Sequence, residues 1–126
     1  MTGAPPDRPL ISDADVAGLP SPIAADLLEA SLCWSVGAYR AAALLTRRAV
    51  EQVAVLRRVP LEMRSFHQKV AWLVQAGHLP PELVADARAV RDLGNAAAHG
   101  VSRVTLEEAC AGVRSGLTVA VGVLLG

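Results

Sequence analysis

The feature that most constrains the fold of this chain is a set of apolar residues that recur every three or four positions. In the first such stretch, Ile23, Leu27, Ala30 and Trp34 follow this spacing, which places them along one face of a helix. Gly37 ends the pattern, as glycine commonly does just beyond a helix. The same spacing returns in four later stretches, and no stretch alternates as a strand would. The sequence therefore predicts an all-α fold, a bundle of four to five helices.

Proline, glycine and capping residues divide the chain into the predicted helices. Pro60 and Gly77 bound the third helix, and Thr105 with Glu108 forms a capping box that opens the last one. The predicted helices cover residues 21–37, 38–58, 61–76 and 80–100, with the last running from 105 onward. The inner faces predicted for the last four helices are Ala42, Leu45, Ala49, Val53 and Leu56; Met63, Phe66, Val70 and Leu73 or Val74; Leu83, Val84, Ala87 and Val90; and Leu106, Cys110, Val113, Leu117, Val121 and Leu124.

The N-terminal segment, residues 1–18, contains three prolines and no apolar periodicity. It predicts a flexible arm, and residues 19–126 then form one helical domain. The arm does not have the pattern of a signal peptide. The longest apolar run, residues 117–125, is far shorter than the roughly 20 residues that a membrane span needs. We therefore expect a cytoplasmic protein that does not associate with a membrane.

Charge and cysteine content bear on whether the protein binds nucleic acid and on whether its cysteines are reduced. The formal net charge is zero, whereas a dedicated non-specific nucleic-acid binder is usually basic. Residues 40–69 nevertheless carry seven basic against two acidic side chains, so a local patch for phosphate remains open. Cys33 and Cys110 lie in apolar patterns, which is typical of buried thiols in a reduced protein.

A polar stripe on the fourth predicted helix is the main candidate for chemistry. On a helix, Arg88, Arg91, Asn95 and His99 fall within a stripe roughly 80° wide. Two guanidinium groups, an amide and an imidazole suit a phosphate, because arginine grips it and histidine moves a proton at neutral pH. A metal site would prefer carboxylates and more than one histidine, so neither a metal nor a cofactor is expected. His67 and His78 are isolated histidines, for which a structural or solvent-facing role is expected.

Residues 91–99 also carry a resemblance to a known family. Their sequence, Arg-Asp-Leu-Gly-Asn-Ala-Ala-Ala-His, resembles the signature of the bacterial family called domain of unknown function 4145, which belongs to the HEPN superfamily of small helical domains. The likeness runs from about Leu19 to the end of the chain. The upstream pieces that fit are Leu19-Pro20, Asp26 with Glu29-Ala30, Gly37-Ala38-Tyr39-Arg40-Ala41-Ala42, and Arg47-Arg48-Ala49-Val50-Glu51.

The superfamily resemblance implies an activity. Many HEPN domains resemble toxins and defence nucleases that cut RNA as dimers, without a metal or cofactor. If the roles of the superfamily's motif residues apply to this sequence, Arg91 would hold phosphate and His99 would be the acid or base. Asp92 would be the polar residue that follows the arginine. Asn95, at helical spacing from His99, would complete the catalytic set. The implied setting is a bacterial phage-defence or toxin–antitoxin-type system.

A second motif of the resemblance would support this site. Arg47 and Arg48 stand at i, i+4 and i, i+3 from Glu51, so either arginine can pair with this carboxylate on one helix. One interpretation is a solvated, self-paired face. The other, favoured by the resemblance, is that one arginine is held by Glu51 and aimed at the stripe on the fourth helix.

The spacing of the stripe departs from the superfamily pattern, which has four to six residues between arginine and histidine. Seven residues separate Arg91 from His99 here, which puts them about 80° and about 12 Å apart on a straight helix. Glycine is unfavourable in the middle of a helix, so Gly94 either bends the helix or admits a close neighbour. Such a bend, or a second copy of the chain, would have to bring the two groups together. The small residues of the fourth and fifth helices suggest a face for such a homodimer.

Two other interpretations stay open. The first is a non-catalytic dimerisation or protein-interaction module, in which the stripe is a buried, fully hydrogen-bonded latch. The second is a domain that binds nucleotide or RNA without cleaving it. A nuclease needs the stripe open to solvent or to a dimer cleft, so the exposure of these side chains separates the latch from the other interpretations.

Overall fold

The structure, a computed structural model, describes residues 9–100 and 103–126. Within these residues, a single-turn 3-10 helix, Pro81–Leu83, leads into the fourth of five α-helices. No strand occurs within the described residues, so the predicted all-α fold is confirmed. The five helices are α1 (Ser21–Ser35), α2 (Tyr39–Leu56), α3 (Phe66–Gln75), α4 (Val84–His99) and α5 (Leu106–Leu124).

The packing is centred on α2, which lies against α1, α4 and α5. The core between these helices contains many alanines and valines, such as Ala49, Val53 and Val113, all fully buried. Small side chains let helix axes approach closely. The α3 helix is peripheral, since it packs mainly on α2 and α4 and does so more sparsely than the other helices pack on one another.

The inner face of α5 differs from the prediction. Leu106, Cys110, Leu117 and Leu124 are only half-buried, and the fully buried positions are shifted around the helix. The shift follows from size. A side chain on Gly112 would collide with Leu93, and one on Gly116 with Thr46, so the glycine edge of α5 is where its neighbours approach. The buried positions of α5 are Ala109, Gly112, Val113, Gly116, Val119, Ala120 and Val123.

The start of α3 also differs from the prediction. The helix begins at Phe66 rather than at residue 61, because Ser65 and Gln68 form a capping box whose two hydrogen bonds are 3.0 and 3.1 Å long. Met63 therefore lies in the preceding loop, half-buried. Leu56, predicted to face inward at the end of α2, is instead 49% exposed.

The other helix ends agree with the sequence to within a residue or two, except that α4 begins at Val84 rather than at residue 80, since Pro81–Leu83 forms the 3-10 turn instead. Gly37, Gly77 and Gly100 follow α1, α3 and α4 with φ values of +84°, +80° and +64°, where a side chain would be strained. Arg58 takes the same conformation after α2, with φ of +59°. The predicted capping box of α5 is confirmed by the contacts between Thr105 and Glu108.

The segment before α1 packs on the bundle, which differs from the loose arm expected for residues 1–18. Ile11 is 1% exposed, and its N–H donates to Ser31 Oγ at 2.9 Å. The Ser12 N–H and hydroxyl both donate to Asp15, and these bonds lower the pKa of that carboxyl. Residues 1–8 of the predicted arm lie outside the described residues, and the division of the chain at residue 19 stays a prediction.

Among the helices that the structure describes, none combines the length and the hydropathy needed to cross a membrane. Cys33 and Cys110 are half-buried thiols that are not joined in a disulfide.

Candidate functional site

The polar stripe of α4 lies on the surface of the bundle. Arg88, Asn95 and His99 are exposed, and the side chain of Arg91 is 28% exposed. A polar latch in the interior of the bundle would require these four side chains to be buried. The exposure therefore disfavours the buried form of the latch and leaves the stripe accessible to a ligand.

Part of the stripe borders an open polar groove between α2, α4 and the first turn of α3. The groove has a volume of about 570 Å³, which we call the α2–α3–α4 groove. Arg91 and Asn95 enter it from α4, and Arg47 enters it from α2. Its full lining is Arg47, Glu51, Ser65, Phe66, His67, Arg91, Asp92 and Asn95.

Arg47 reaches the groove across Gly94. A Cβ placed on Gly94 would lie 2.5 Å from Arg47 Cδ and 3.1 Å from Arg47 Cβ. Glycine at this position therefore gives the stem of Arg47 its path over α4, and Nη1 of Arg47 donates to Asn95 Oδ1 at 3.2 Å. Of the two roles that the sequence allowed for Gly94, the structure has the close neighbour, since α4 continues through Gly94 as a regular helix.

Arg91 is held from two sides. Its Nε and Nη2 both lie 3.0 Å from Asp92 Oδ1, and its Nη1 lies 3.4 Å from Nδ1 of His67. Because a guanidinium only donates, Nδ1 of His67 is the acceptor in this contact. Both contacts fix the direction in which the guanidinium presents its remaining N–H groups.

His67 is the groove residue that the sequence interpretation missed. It is exposed and is the second residue of α3, in the first turn of that helix. Its proximity to Arg91 depends on how α3 lies against α4, which no local spacing reveals. The one available signal was the Ser65 capping box, which places His67 in a first helical turn rather than in the middle of a longer helix.

The ion pairs predicted around Glu51 do not form among the described residues. Glu51 Oε2 instead lies 3.7 Å from Lys69 Nζ on α3. Arg48 lies outside the groove and pairs with Asp26 of α1, with Nε 3.4 Å from Oδ2. The Asp26 side chain is only 15% exposed, whereas that of Arg48 is 67% exposed. Arg47 is thus the arginine of the motif that reaches α4.

His99 and Arg88 lie outside the groove. His99 is the last residue of α4, and because the helix is regular through Gly94 it stays about 12 Å along the axis from Arg91. One chain therefore does not bring Arg91 and His99 together. Arg88 instead borders a smaller cleft between α3 and α4, to which Arg91 also contributes.

Comparison with protein families gives a match over most of the chain. Residues 28–116 match the family described as domain of unknown function (DUF4145). The chain belongs to this family. The matched residues include the α2 motif and the α4 stripe. Comparisons of this DUF4145 domain with curated proteins and with solved structures give no significant match.

The charges of the groove in this DUF4145 domain are nearly balanced. Arg47 and Arg91 face Glu51 and Asp92 across the same opening, and Lys69 adds a positive charge beside Glu51. In the part of the chain that the structure describes, no three His, Cys, Asp or Glu side chains come together as a metal site would require. The groove thus presents guanidinium donors and carboxylate acceptors side by side.

Proposed function

We propose that this DUF4145 domain is a HEPN-like, RNA-binding domain of a bacterial defence or toxin–antitoxin-type system. The observation that carries the proposal is that Arg47 and Arg91, from two different helices, border one open groove together with Asn95 and His67. Guanidinium groups present paired donors that match the oxygens of a phosphate. The groove therefore binds the phosphates of single-stranded RNA.

Five of the groove residues have a part in this binding. Arg91 contacts a phosphate through N–H groups that Asp92 and His67 leave free, and Asp92 keeps its guanidinium oriented. Arg47 contacts either the same phosphate or the next one, and its hydrogen bond to Asn95 positions its guanidinium group. Asp92 and Glu51 oppose an incoming anion, so the affinity for RNA is moderate. This affinity falls as the salt concentration rises, because salt screens the attraction between arginine and phosphate.

Cleavage of the bound RNA is a second candidate function, and it requires two copies of the chain. Arg91 and His99 are separated within one chain, but His99 is exposed at the end of α4, from which it can serve the groove of a second copy. There the imidazole takes the 2′-hydroxyl proton as the 2′-oxygen attacks phosphorus, and Arg91 stabilises the phosphorane charge. The imidazolium then protonates the departing 5′-oxygen, leaving a 2′,3′-cyclic phosphate and a 5′-hydroxyl.

The experiment that tests both functions follows binding and cleavage of a fluorescent single-stranded RNA in EDTA. We expect Arg47→Ala and Arg91→Ala each to weaken binding roughly tenfold, the effect of losing a charged hydrogen bond. Arg114→Ala is the matched control, because Arg114 is an exposed arginine of α5 outside the groove. All variants are first compared with the wild type by thermal unfolding.

The outcomes separate the functions. Loss of binding in the two groove variants alone supports the RNA-binding proposal, whereas equal binding by all four proteins contradicts it. Cleavage that His99→Ala abolishes, and that returns when His99→Ala is mixed with Arg91→Ala, indicates a site shared between two chains. Binding without cleavage leaves an RNA-binding domain that does not cut.

A protein-interaction module remains the alternative if RNA does not bind. The observation that favours it is a group of exposed apolar side chains at the end of α1, where Leu32 is 65% and Val36 is 79% exposed. The side of α1 that carries them would then contact a second copy of the chain or another protein.

A further inference from the structure

We infer that the cleft between α3 and α4 holds a nucleobase of the bound strand, an inference that rests on the RNA-binding function proposed above. The cleft has a volume of about 280 Å³ and a mainly apolar lining. We call it the α3–α4 cleft. Val70, Val74 and Val84 form its walls, Phe66 lies at the end nearest the groove, and Arg88 stands on its α4 side.

The cleft and the α2–α3–α4 groove share three residues. Phe66, His67 and Arg91 line both openings. One ligand can therefore place an anionic group in the groove and an apolar group in the cleft, with Arg91 between them. A nucleotide has this combination, since its charged phosphate and its flat base are separated by one sugar.

The lining of the cleft suits a base better than a second phosphate. Its valines and Phe66 offer apolar surface and one aromatic ring, and single-stranded RNA is commonly bound by stacking its bases on such side chains. Arg88 and Arg91 supply cationic groups at the border, where a guanidinium can lie against a base or contact the adjoining phosphate. Few polar side chains reach the interior, which predicts weak discrimination between bases.

The sparse packing of α3 explains why the cleft exists. The helix packs mainly on α2 and α4, and Ala71 lines the cleft with a side chain too small to fill the gap between α3 and α4. Ala71 is exposed, so a larger side chain there occupies the cleft without disturbing the core. This position gives a direct test.

The test compares two fluorescent ligands of equal charge: a ten-residue oligouridylate and a ten-unit abasic ribose-phosphate chain. Wild type is expected to bind the oligouridylate about tenfold more tightly, the effect of stacking one base. Ala71→Leu is expected to remove most of this preference while keeping the affinity for the abasic chain. Phe66→Leu, which removes the ring but keeps an apolar side chain, is expected to act in the same direction.

Ala25→Leu is the matched control, because Ala25 is an exposed alanine of α1, a helix distant from the cleft. If wild type binds both ligands equally, or if Ala71→Leu keeps the full preference for oligouridylate, the base-binding role of the cleft is wrong while the phosphate-binding groove stands. If wild type binds neither ligand, the RNA-binding function itself fails, and the base-binding role with it.

Discussion

At the scale of single residues, the candidate site depends on Gly94. Its low helix propensity makes Gly94 unusual within a helix. The sequence leaves two explanations, a bend or a close neighbour, because glycine is compatible with both. The structure has Arg47 as the neighbour, a residue 47 positions away in the chain. That pairing comes from the packing of α2 on α4, as does the contact of Arg91 with His67, so neither followed from helical spacing.

We predict that Gly94→Ala disables the groove with little effect on stability. The added methyl meets the stem of Arg47, and the flexible side chain moves away from Asn95. Alanine gains roughly 1 kcal/mol of helix propensity over glycine, which offsets much of the lost packing. RNA affinity should therefore fall as far as in Arg47→Ala, while the free energy of unfolding changes by less than about 1 kcal/mol.

A double-mutant cycle checks this explanation. In the Arg47→Ala background, Gly94→Ala should cause no further loss of RNA affinity, because the side chain that it displaces is already absent. Independent, additive losses would mean that Gly94 acts on the groove through something other than Arg47. Denaturant titrations of all four proteins supply the unfolding free energies.

At the scale of elements, α3 is the helix that the sequence described least well. Its predicted start followed the apolar residues back to residue 61, although the Ser65 and Gln68 capping box was available as a nearer signal. On α5 the difference has another cause, because the apolar pattern predicts that the largest apolar side chains face the interior. The interior of this bundle instead admits Gly112 and Gly116, since space between its helices is limiting.

We predict that Ser65→Ala loosens α3 without unfolding the bundle. Removal of an N-cap costs about 1 kcal/mol, and α3 has few neighbours to compensate. Amide hydrogen exchange should therefore accelerate in α3 alone. Thr105→Ala removes the same kind of cap from α5, which packs in the core, and should instead lower the stability of the whole domain. Equal exchange throughout the bundle in Ser65→Ala would show that α3 does not open independently.

At the scale of the whole molecule, helix number and fold class were predictable because they depend on periodicity and on glycine and proline, which are local. The surface through which two copies of the chain would associate was not predictable in this way. The small residues of α4 and α5 suggested a dimer face, but Gly94, Gly112 and Gly116 pack within the chain against Arg47, Leu93 and Thr46. Support for a dimer now comes from the apolar end of α1.

We predict a homodimer formed through Leu32 and Val36. Val36 adjoins Gly37, which borders the same surface groove as Gly100 at the end of α4, so this contact brings a second copy near His99. Light scattering at micromolar concentration should give twice the 13.1 kDa of the chain. Val36→Glu should return the monomer, whereas Leu61→Glu, at a side chain 92% exposed elsewhere, should not. A 13.1 kDa species in the wild type would exclude the dimer and the shared cleavage site.

The placement of the two tryptophans gives the domain an intrinsic optical reporter for each of its parts. Trp34 is 8% exposed, and its indole N–H donates to the Leu106 carbonyl at 3.0 Å, so its emission follows the docking of α5 on α1. Trp72 is half-buried on α3, with its ring centroid 5.8 Å from that of His78. Replacing either tryptophan by phenylalanine would leave a single tryptophan, and the emission spectra of the two resulting proteins would record core unfolding and α3 movement separately.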